Sequence, residues 1–374
     1  MKLNNELDSM NICIVAGARP NFIKVAPIVR AVENARAHGR DVSYTLVYAG
    51  SKDDPTLEPS LFQDLQLAPP QVYLNVVCEN LNELTGQVMG AFERYLQENK
   101  TDVVIVVDDL ASTMAAAIVT KKQGIRLAHL VAGTRSFDIK MPKEINRLVI
   151  DGLSDLLFTA GMGASSIAAR EGAELSKIYM VGNILLDTLR FNLNRLKKPA
   201  FMEAYKEHEY LVFTLNRKAL LADRVNLYRM IRAMMRQAGG MPIIAPLRGK
   251  VAEVVKEILE EFPKPQRQAF TLVPSLGYLE FGWLTAHACG IITDSGNVAE
   301  EATFNGVPCI TLNSYTEHIE TVKVGTNELV GEDAELLGEM VAKLVRGQWK
   351  TGKLPDRWDG RTAERIVQIL MEGK

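Results

Sequence analysis

The chain has 374 residues, 47% of them hydrophobic and 24% charged, with a formal net charge of -2. That length suits two α/β domains better than one core, and the balanced charge gives no general attraction to nucleic acid or to an anionic membrane. Residues 1–10 lack the apolar core of a signal peptide, no run approaches the ~18 apolar residues of a membrane span, and the scattered cysteines and histidines show no zinc spacing, so a cytoplasmic protein with reduced thiols is expected.

Strand-like apolar runs alternate with helical patterns along the chain. Asn11 to Ala16 reads as a strand, followed by Gly17-Ala18-Arg19-Pro20-Asn21 and a helix through Ala35. Ser43 to Ala49 and Tyr73 to Val77 are further strands, with a helix over Leu84 to Gln97. Thr101 to Asp108 is a near-continuous apolar run, as expected of a strand buried on both faces. It leads through Asp109 into a helix from Met114 to Gln123. Arg126 to Leu130 is a strand, Ala132 to Met141 a long loop, and Pro142 opens a helix at the favoured first position. Strands at Leu156 to Thr159 and Ile178 to Met180 close the first set.

Asn192 to Glu209 reads as a linker. A second set follows: strands at Tyr210 to Thr214, Met241 to Ala245 and Phe270 to Val273, with helices through Ala238 and Phe262. Gly290 to Thr293 is then a buried strand, Asp294-Ser295-Gly296-Asn297 a tight turn, Val298 to Phe304 a helix, and Pro308 to Leu312 a strand. Such alternation predicts two Rossmann-like, doubly wound parallel sheets: residues 1–190, completed by the helix of 360–374, and residues 205–355.

Candidate site residues cluster at the predicted carboxyl ends of strands, where open parallel sheets bind ligands. The turn at Asp294 to Asn297 presents helix N-terminal N–H groups suited to phosphate, or it is an ordinary N-cap. Glu300 and Glu301, placed in the first helical turn, either accept from a ribose diol or favour the helix dipole. Arg19 and Arg217 are planar cations able to grip a diphosphate, or exposed surface residues. Of Asp108 and Asp109, one is expected to cap the following helix and one to face the ligand edge. Glu144 is either a functional carboxylate or a dipole partner in its own first turn.

Taken in order, these segments resemble the non-hydrolysing UDP-N-acetylglucosamine 2-epimerases. The family's G-T-R-P-x-x-I-K is Gly17 to Lys24 here, its G-D-x-x-S-T is Asp108 to Thr113, and its H-V-E-A-G-x-R-S is His129 to Ser136. P-E-E-x-N-R is Pro142 to Arg147, V-G-N-x-x-x-D is Val181 to Asp187, and D-S-G-G-x-Q-E-E-A is Asp294 to Ala302. The resemblance implies a GT-B-like fold with the site between two domains, acting as a homodimer on a UDP-sugar without NAD or metal. It implies elimination of UDP with removal of the C2 proton, a bound 2-acetamidoglucal, and re-addition with the proton returned to the other face.

By position, Asp109, Glu144 and Arg19 would be catalytic. Arg19, Lys24, Arg147, Arg217, Ser295, Gly296, Asn297 and Glu301 would bind substrate, with Glu301 on the ribose. Val131 stands where the family has a catalytic glutamate and Asn216 where it has a catalytic histidine; neither side chain moves a proton. Asn297 replaces the second glycine of D-S-G-G. The alternatives to an epimerase are a catalytically silent UDP-sugar binder, a hydrolysing epimerase or other enzyme on a related UDP-2-acetamido sugar, and a GT-B glycosyltransferase.

Overall fold

A computed structural model describes residues 9–373. The chain forms two compact units, one running to Phe191 and resuming at Asp356, the other spanning Asn192–Pro355. The first holds β1 (Met10–Ala16), β2 (Val42–Tyr48), β3 (Val72–Tyr73), β4 (Val103–Val107), β5 (Arg126–Ala132), β6 (Leu156–Thr159) and β7 (Ile178–Met180). These pair in the order β3-β2-β1-β4-β5-β6-β7, parallel throughout. The second holds β8 (Leu211–Phe213), β9 (Ile243–Pro246), β10 (Phe270–Val273), β11 (Gly290–Thr293), β12 (Cys309–Thr311) and β13 (Asn327–Leu329). Its order, β10-β9-β8-β11-β12-β13, repeats that of the first six strands and is again parallel. The expected pair of doubly wound sheets is present.

Sequence explains the central strands directly. β4 reads Val-Val-Ile-Val-Val and every one of these side chains is fully buried, so β-branched residues fill both faces of the pleat. In the second unit Phe213, Ile231, Val255, Ile258, Leu337 and Val341 interlock between sheet and helices. Gly290 opens β11 without a side chain because a Cβ there would lie 2.3 Å from Leu344 on the helix Ala334–Val345. Among the described residues, no helix is long and apolar enough to cross a membrane.

Several boundaries differ from the sequence expectation for local reasons. The strand expected over Tyr73 to Val77 ends at Tyr73, since Asn75 adopts a left-handed φ of 56° and turns the chain. The helix expected from Leu84 starts at Leu81, because the Asn80 side chain accepts from the N–H groups of Asn82 and Glu83. The long helix ending near Ala238 is two, Lys218–Ala222 and Arg224–Gln237, divided at Asp223, whose carboxylate caps the second. The segment expected as a linker contributes Met202, fully buried against Tyr210 and Trp283.

The C-terminal helix Thr362–Glu372 buries Ile366, Val367 and Leu370 and packs on the helix Arg19–Ala37. Its start is held by Asp187, which accepts from the N–H groups of Thr362 (3.0 Å) and Ala363 (2.7 Å). Gly182 has a φ of 104°, and a Cβ there would meet the Arg357 carbonyl at 2.1 Å. The Val181 to Asp187 motif therefore serves as the seat of the returning chain, a structural duty.

Candidate active site

Strand order reverses between β1 and β4 in the first unit and between β8 and β11 in the second, and each reversal opens a crevice at the strands' carboxyl ends. The chain leaves β1 through Gly17, where a Cβ would lie 2.1 Å from the Ser112 hydroxyl at the start of the helix Ala111–Lys122. A side chain there would have to displace the Ser112 hydroxyl, so glycine keeps this turn close to the helix start. Asn21 Oδ1 accepts from the N–H groups of Gly17 (2.9 Å) and Ala18 (3.2 Å), and its amide nitrogen donates to Asp108 Oδ2 at 2.9 Å. Lys24, expected on substrate, places Nζ 2.5 Å from Asp108 Oδ1. Arg19 is half-buried and its side chain makes no hydrogen bond or ion pair with any described residue, which leaves a cation at the mouth of this crevice.

Neither Asp108 nor Asp109 caps the following helix; the cap position is Leu110, with no side-chain bond. Their carboxylates are drawn elsewhere by cations. Asp109 Oδ2 accepts from Arg147 Nε (2.8 Å) and Nη2 (2.6 Å), and Lys143 Nζ stands 3.4 Å from Oδ1. Burial pushes the Asp109 pKa up, but Lys143, Arg147 and Lys24 outweigh it and hold it below the usual value. Arg147, expected on substrate, is thus a partner of Asp109. Glu144 sits in the first turn of the helix Pro142–Leu153, yet its carboxylate reaches back to the loop. It accepts from Ser136 N–H and Oγ and from Phe137 N–H, each at 2.9 Å, and from Arg147 Nη1 at 3.2 Å. Burial raises its pKa, and those donors together with Arg147 lower it by more.

Val131 lies at a bulge in β5 with a φ of 72°, a strained conformation for a β-branched residue, costing about 1–3 kcal/mol. Beneath it runs a buried charged chain that the sequence reading missed. His129 Nδ1 is 2.5 Å from Asp151 Oδ1 and its Nε2 is 2.9 Å from the Asp108 carbonyl. Asp151 Oδ2 also receives Arg135 Nη2 at 2.8 Å and the Gly133 N–H at 3.0 Å, and Arg135 continues to Glu171. His129 and Arg135 both belong to the quoted motif; their shared partner is 16 residues or more away in sequence, so spacing alone gave no signal for it.

In the second unit Asp294 is not a helix cap either. Its Oδ2 accepts from the N–H groups of Asn216 (2.7 Å) and Arg217 (2.6 Å), tying the turn after β8 to the turn after β11. Its carbonyl accepts from Asn313 Nδ2 at 3.0 Å. Arg217 itself is held by Asn313 and Glu332, each at 3.2 Å, while the Asn216 side chain is exposed. The helix begins at Gly296, with Ser295 at the cap position making no side-chain cap bond. Asn297 is within the helix, so no left-handed backbone is required of it.

A cavity of about 270 Å³ opens beside this helix start, lined by Ser295, Gly296, Asn297, Glu300, Thr316 and His318 among others. Glu300 and Glu301 lie in the second turn, not the first. Glu300 lines the cavity, 3.6 Å from His318 Nε2. Glu301 is buried behind it, and burial, reinforced by the charge of Glu300, pushes its pKa up to about 8. A carboxyl group raised this way favours folding fully below its ordinary value of 4.5 and loses that contribution as the pH climbs through 8. Glu301→Gln is therefore expected to gain resistance to urea over the wild type at pH 8.5 and to match it near pH 4.5; equal unfolding midpoints at both pH values would contradict the buried, proton-holding carboxyl.

Two parallel α/β units, each with polar turns gathered at its strand-order reversal, give the chain a GT-B-like fold. The profile of UDP-N-acetylglucosamine 2-epimerases matches residues 34–371, and the chain belongs to that family. It is 33% identical to the UDP-N-acetylglucosamine 2-epimerase of Methanocaldococcus jannaschii, over 98% of this chain and 100% of that one. A crystal structure of that archaeal enzyme with UDP-GlcNAc and UDP superposes with a TM-score of 0.82, covering 97% of this chain and 100% of that chain. The UDP-2,3-diacetamido-2,3-dideoxy-D-glucuronate 2-epimerase of Pseudomonas aeruginosa is 30% identical over 96% of this chain and 99% of its own length.

Proposed function

We propose that this chain interconverts UDP-N-acetylglucosamine and UDP-N-acetylmannosamine by eliminating UDP and adding it back to a 2-acetamidoglucal. The observation that carries this reading is the cavity at the start of the helix Gly296–Asn305, where uncapped N–H groups, Ser295 and Asn297 meet. A diphosphate suits that helix start, and Glu300, which lines the cavity, suits a ribose diol, with Glu301, the residue the motif assigns, behind it. Arg217 and Arg19 are the cations for the leaving diphosphate. On the first unit, Asp109 is an anionic base held by Arg147, and Glu144 fixes the loop that carries Ser136 and Phe137. The elimination is redox-neutral and needs no nicotinamide, and the cations named suffice to meet a diphosphate without metal. A cytoplasmic homodimer is the expected form.

Incubation with UDP-N-acetylglucosamine, followed by anion-exchange separation, should yield UDP-N-acetylmannosamine. Free N-acetylmannosamine with UDP would assign the hydrolysing reaction instead. Val131 and Asn216 favour a second reading, a silent UDP-sugar binder, which would bind UDP in calorimetry and convert nothing. Because the Asp294 carboxylate ties the N–H groups of Asn216 and Arg217 to the β11 turn, Asp294→Ala is expected to weaken UDP about tenfold or more, as loss of a charged hydrogen-bond acceptor does. Affinity within about twofold of wild type would remove Asp294 from the nucleotide site.

A further inference from the structure

Resting on the epimerase reading, we propose that Asp108 is a proton-transfer carboxylate of this chain, standing one strand away from the glutamate position that Val131 has vacated. β4 and β5 pair in register from Val103 with Arg126 to Val107 with Leu130, so the next residues across are Asp108 and Val131. The Asp108 N–H donates to the Leu130 carbonyl at 3.3 Å, which carries that register one step on. Both residues adopt a left-handed backbone, with φ of 58° and 72°. The motif that Asp108 to Thr113 resembles has glycine at this first position, as a left-handed φ favours, and glutamate at the position of Val131. Here glycine has become aspartate, a residue that tolerates this backbone, and glutamate has become valine. One carboxylate is gained and one lost at neighbouring points of the same sheet edge.

Partner counts separate Asp108 from the other two carboxylates of this edge. Glu144 takes four donors and its side chain is 4% exposed; Asp109 is gripped by Arg147 and Lys143 at 12%. Asp108 has one donor on each oxygen, Lys24 and Asn21, and its side chain is the most open of the three at 18%. Each oxygen keeps a lone pair in hand. Its backbone is fixed by His129 Nε2 on the carbonyl, so the carboxylate is aimed while remaining able to exchange a proton. In the step assigned to it, Asp108 takes the proton from C2; the C–H electron pair becomes the C1=C2 bond and UDP departs with the electrons of the C1–O bond. In the return step UDP re-adds at C1 while a proton reaches C2 on the opposite face, served by Asp109, and the two carboxylates exchange roles when the manno isomer is converted back. Solvent exchange of the carboxyl protons links the two steps.

The test compares the wild type with Asp108→Gly, Asp108→Asn and the exchange variant Asp108→Gly/Val131→Glu. Deuterium uptake at C2 of UDP-N-acetylglucosamine and UDP affinity are read on each. Glycine suits the left-handed φ at 108, so that variant retains the fold, which UDP binding reports. Both single variants are expected to lose exchange by about a hundredfold with UDP affinity within twofold, and the exchange variant to recover at least tenfold over Asp108→Gly. Single variants that retain wild-type exchange would overturn the proposal. So would a loss that the exchange variant does not recover, since releasing Lys24 and the Gly17 turn would then account for it. A wild type with no exchange at all would take down the epimerase reading itself, and this proposal with it.

Discussion

Asp109→Asn is expected to cut deuterium exchange at the sugar C2 by about a hundredfold or more, the usual worth of a positioned base, while leaving UDP affinity within about twofold. Asp109 is the second residue after β4, with its Oδ2 fixed by two nitrogens of Arg147 and Lys143 close to Oδ1. Those cations, against the upward pull of burial, keep it ionised through the neutral range, the state that the base of the proposed reaction requires. Asparagine preserves the shape but offers Arg147 an amide in place of a carboxylate. Its activity as a base is lost only as the pH falls through a pKa already below 3.8, so the wild type should show no acid limb from Asp109 between pH 5 and 8. Unaltered exchange in Asp109→Asn would remove this residue from the mechanism.

Asp151→Ala is expected to cost about 3–5 kcal/mol of stability in the first unit, the range for breaking a buried ion pair. The alanine leaves His129 Nδ1, the Gly133 N–H and one bond of Arg135 without their acceptor in the core. Burial opposes the charge on Asp151, but His129, Arg135 and the Gly133 N–H more than offset it, and its pKa lies below the ordinary 3.8. This contribution is present above pH 3.8 and lost as the pH falls through the folded value. Chemical denaturation at pH 7 measures the cost, and a change under 1 kcal/mol would contradict the account. Because His129 also holds the Asp108 carbonyl, the damage should reach the crevice as well.

Strand positions and the site's outline were legible from the sequence because they follow from local pattern. The β-branched run of β4 marks a central strand, and glycines and acids at strand ends mark the sheet edge. What was not legible depends on partners distant in the chain. Asp294 reads as a helix cap until Asn216 and Arg217, 77 residues or more away, are seen donating to it. Lys24 and Arg147 read as substrate cations, yet each is paired with an aspartate after β4. Glu301 matches the motif for the ribose, but helix phase puts Glu300 on the cavity and Glu301 behind it. The left-handed backbone of Val131 follows from the bulge in β5, which periodicity does not reveal.

Proton NMR of UDP-N-acetylglucosamine with the protein in deuterated water tests the central claim most directly. The expected result is loss of the C2 proton signal from the substrate pool together with the appearance of the manno isomer bearing deuterium at C2. An unchanged spectrum, recorded with a protein that binds UDP in calorimetry, would contradict it.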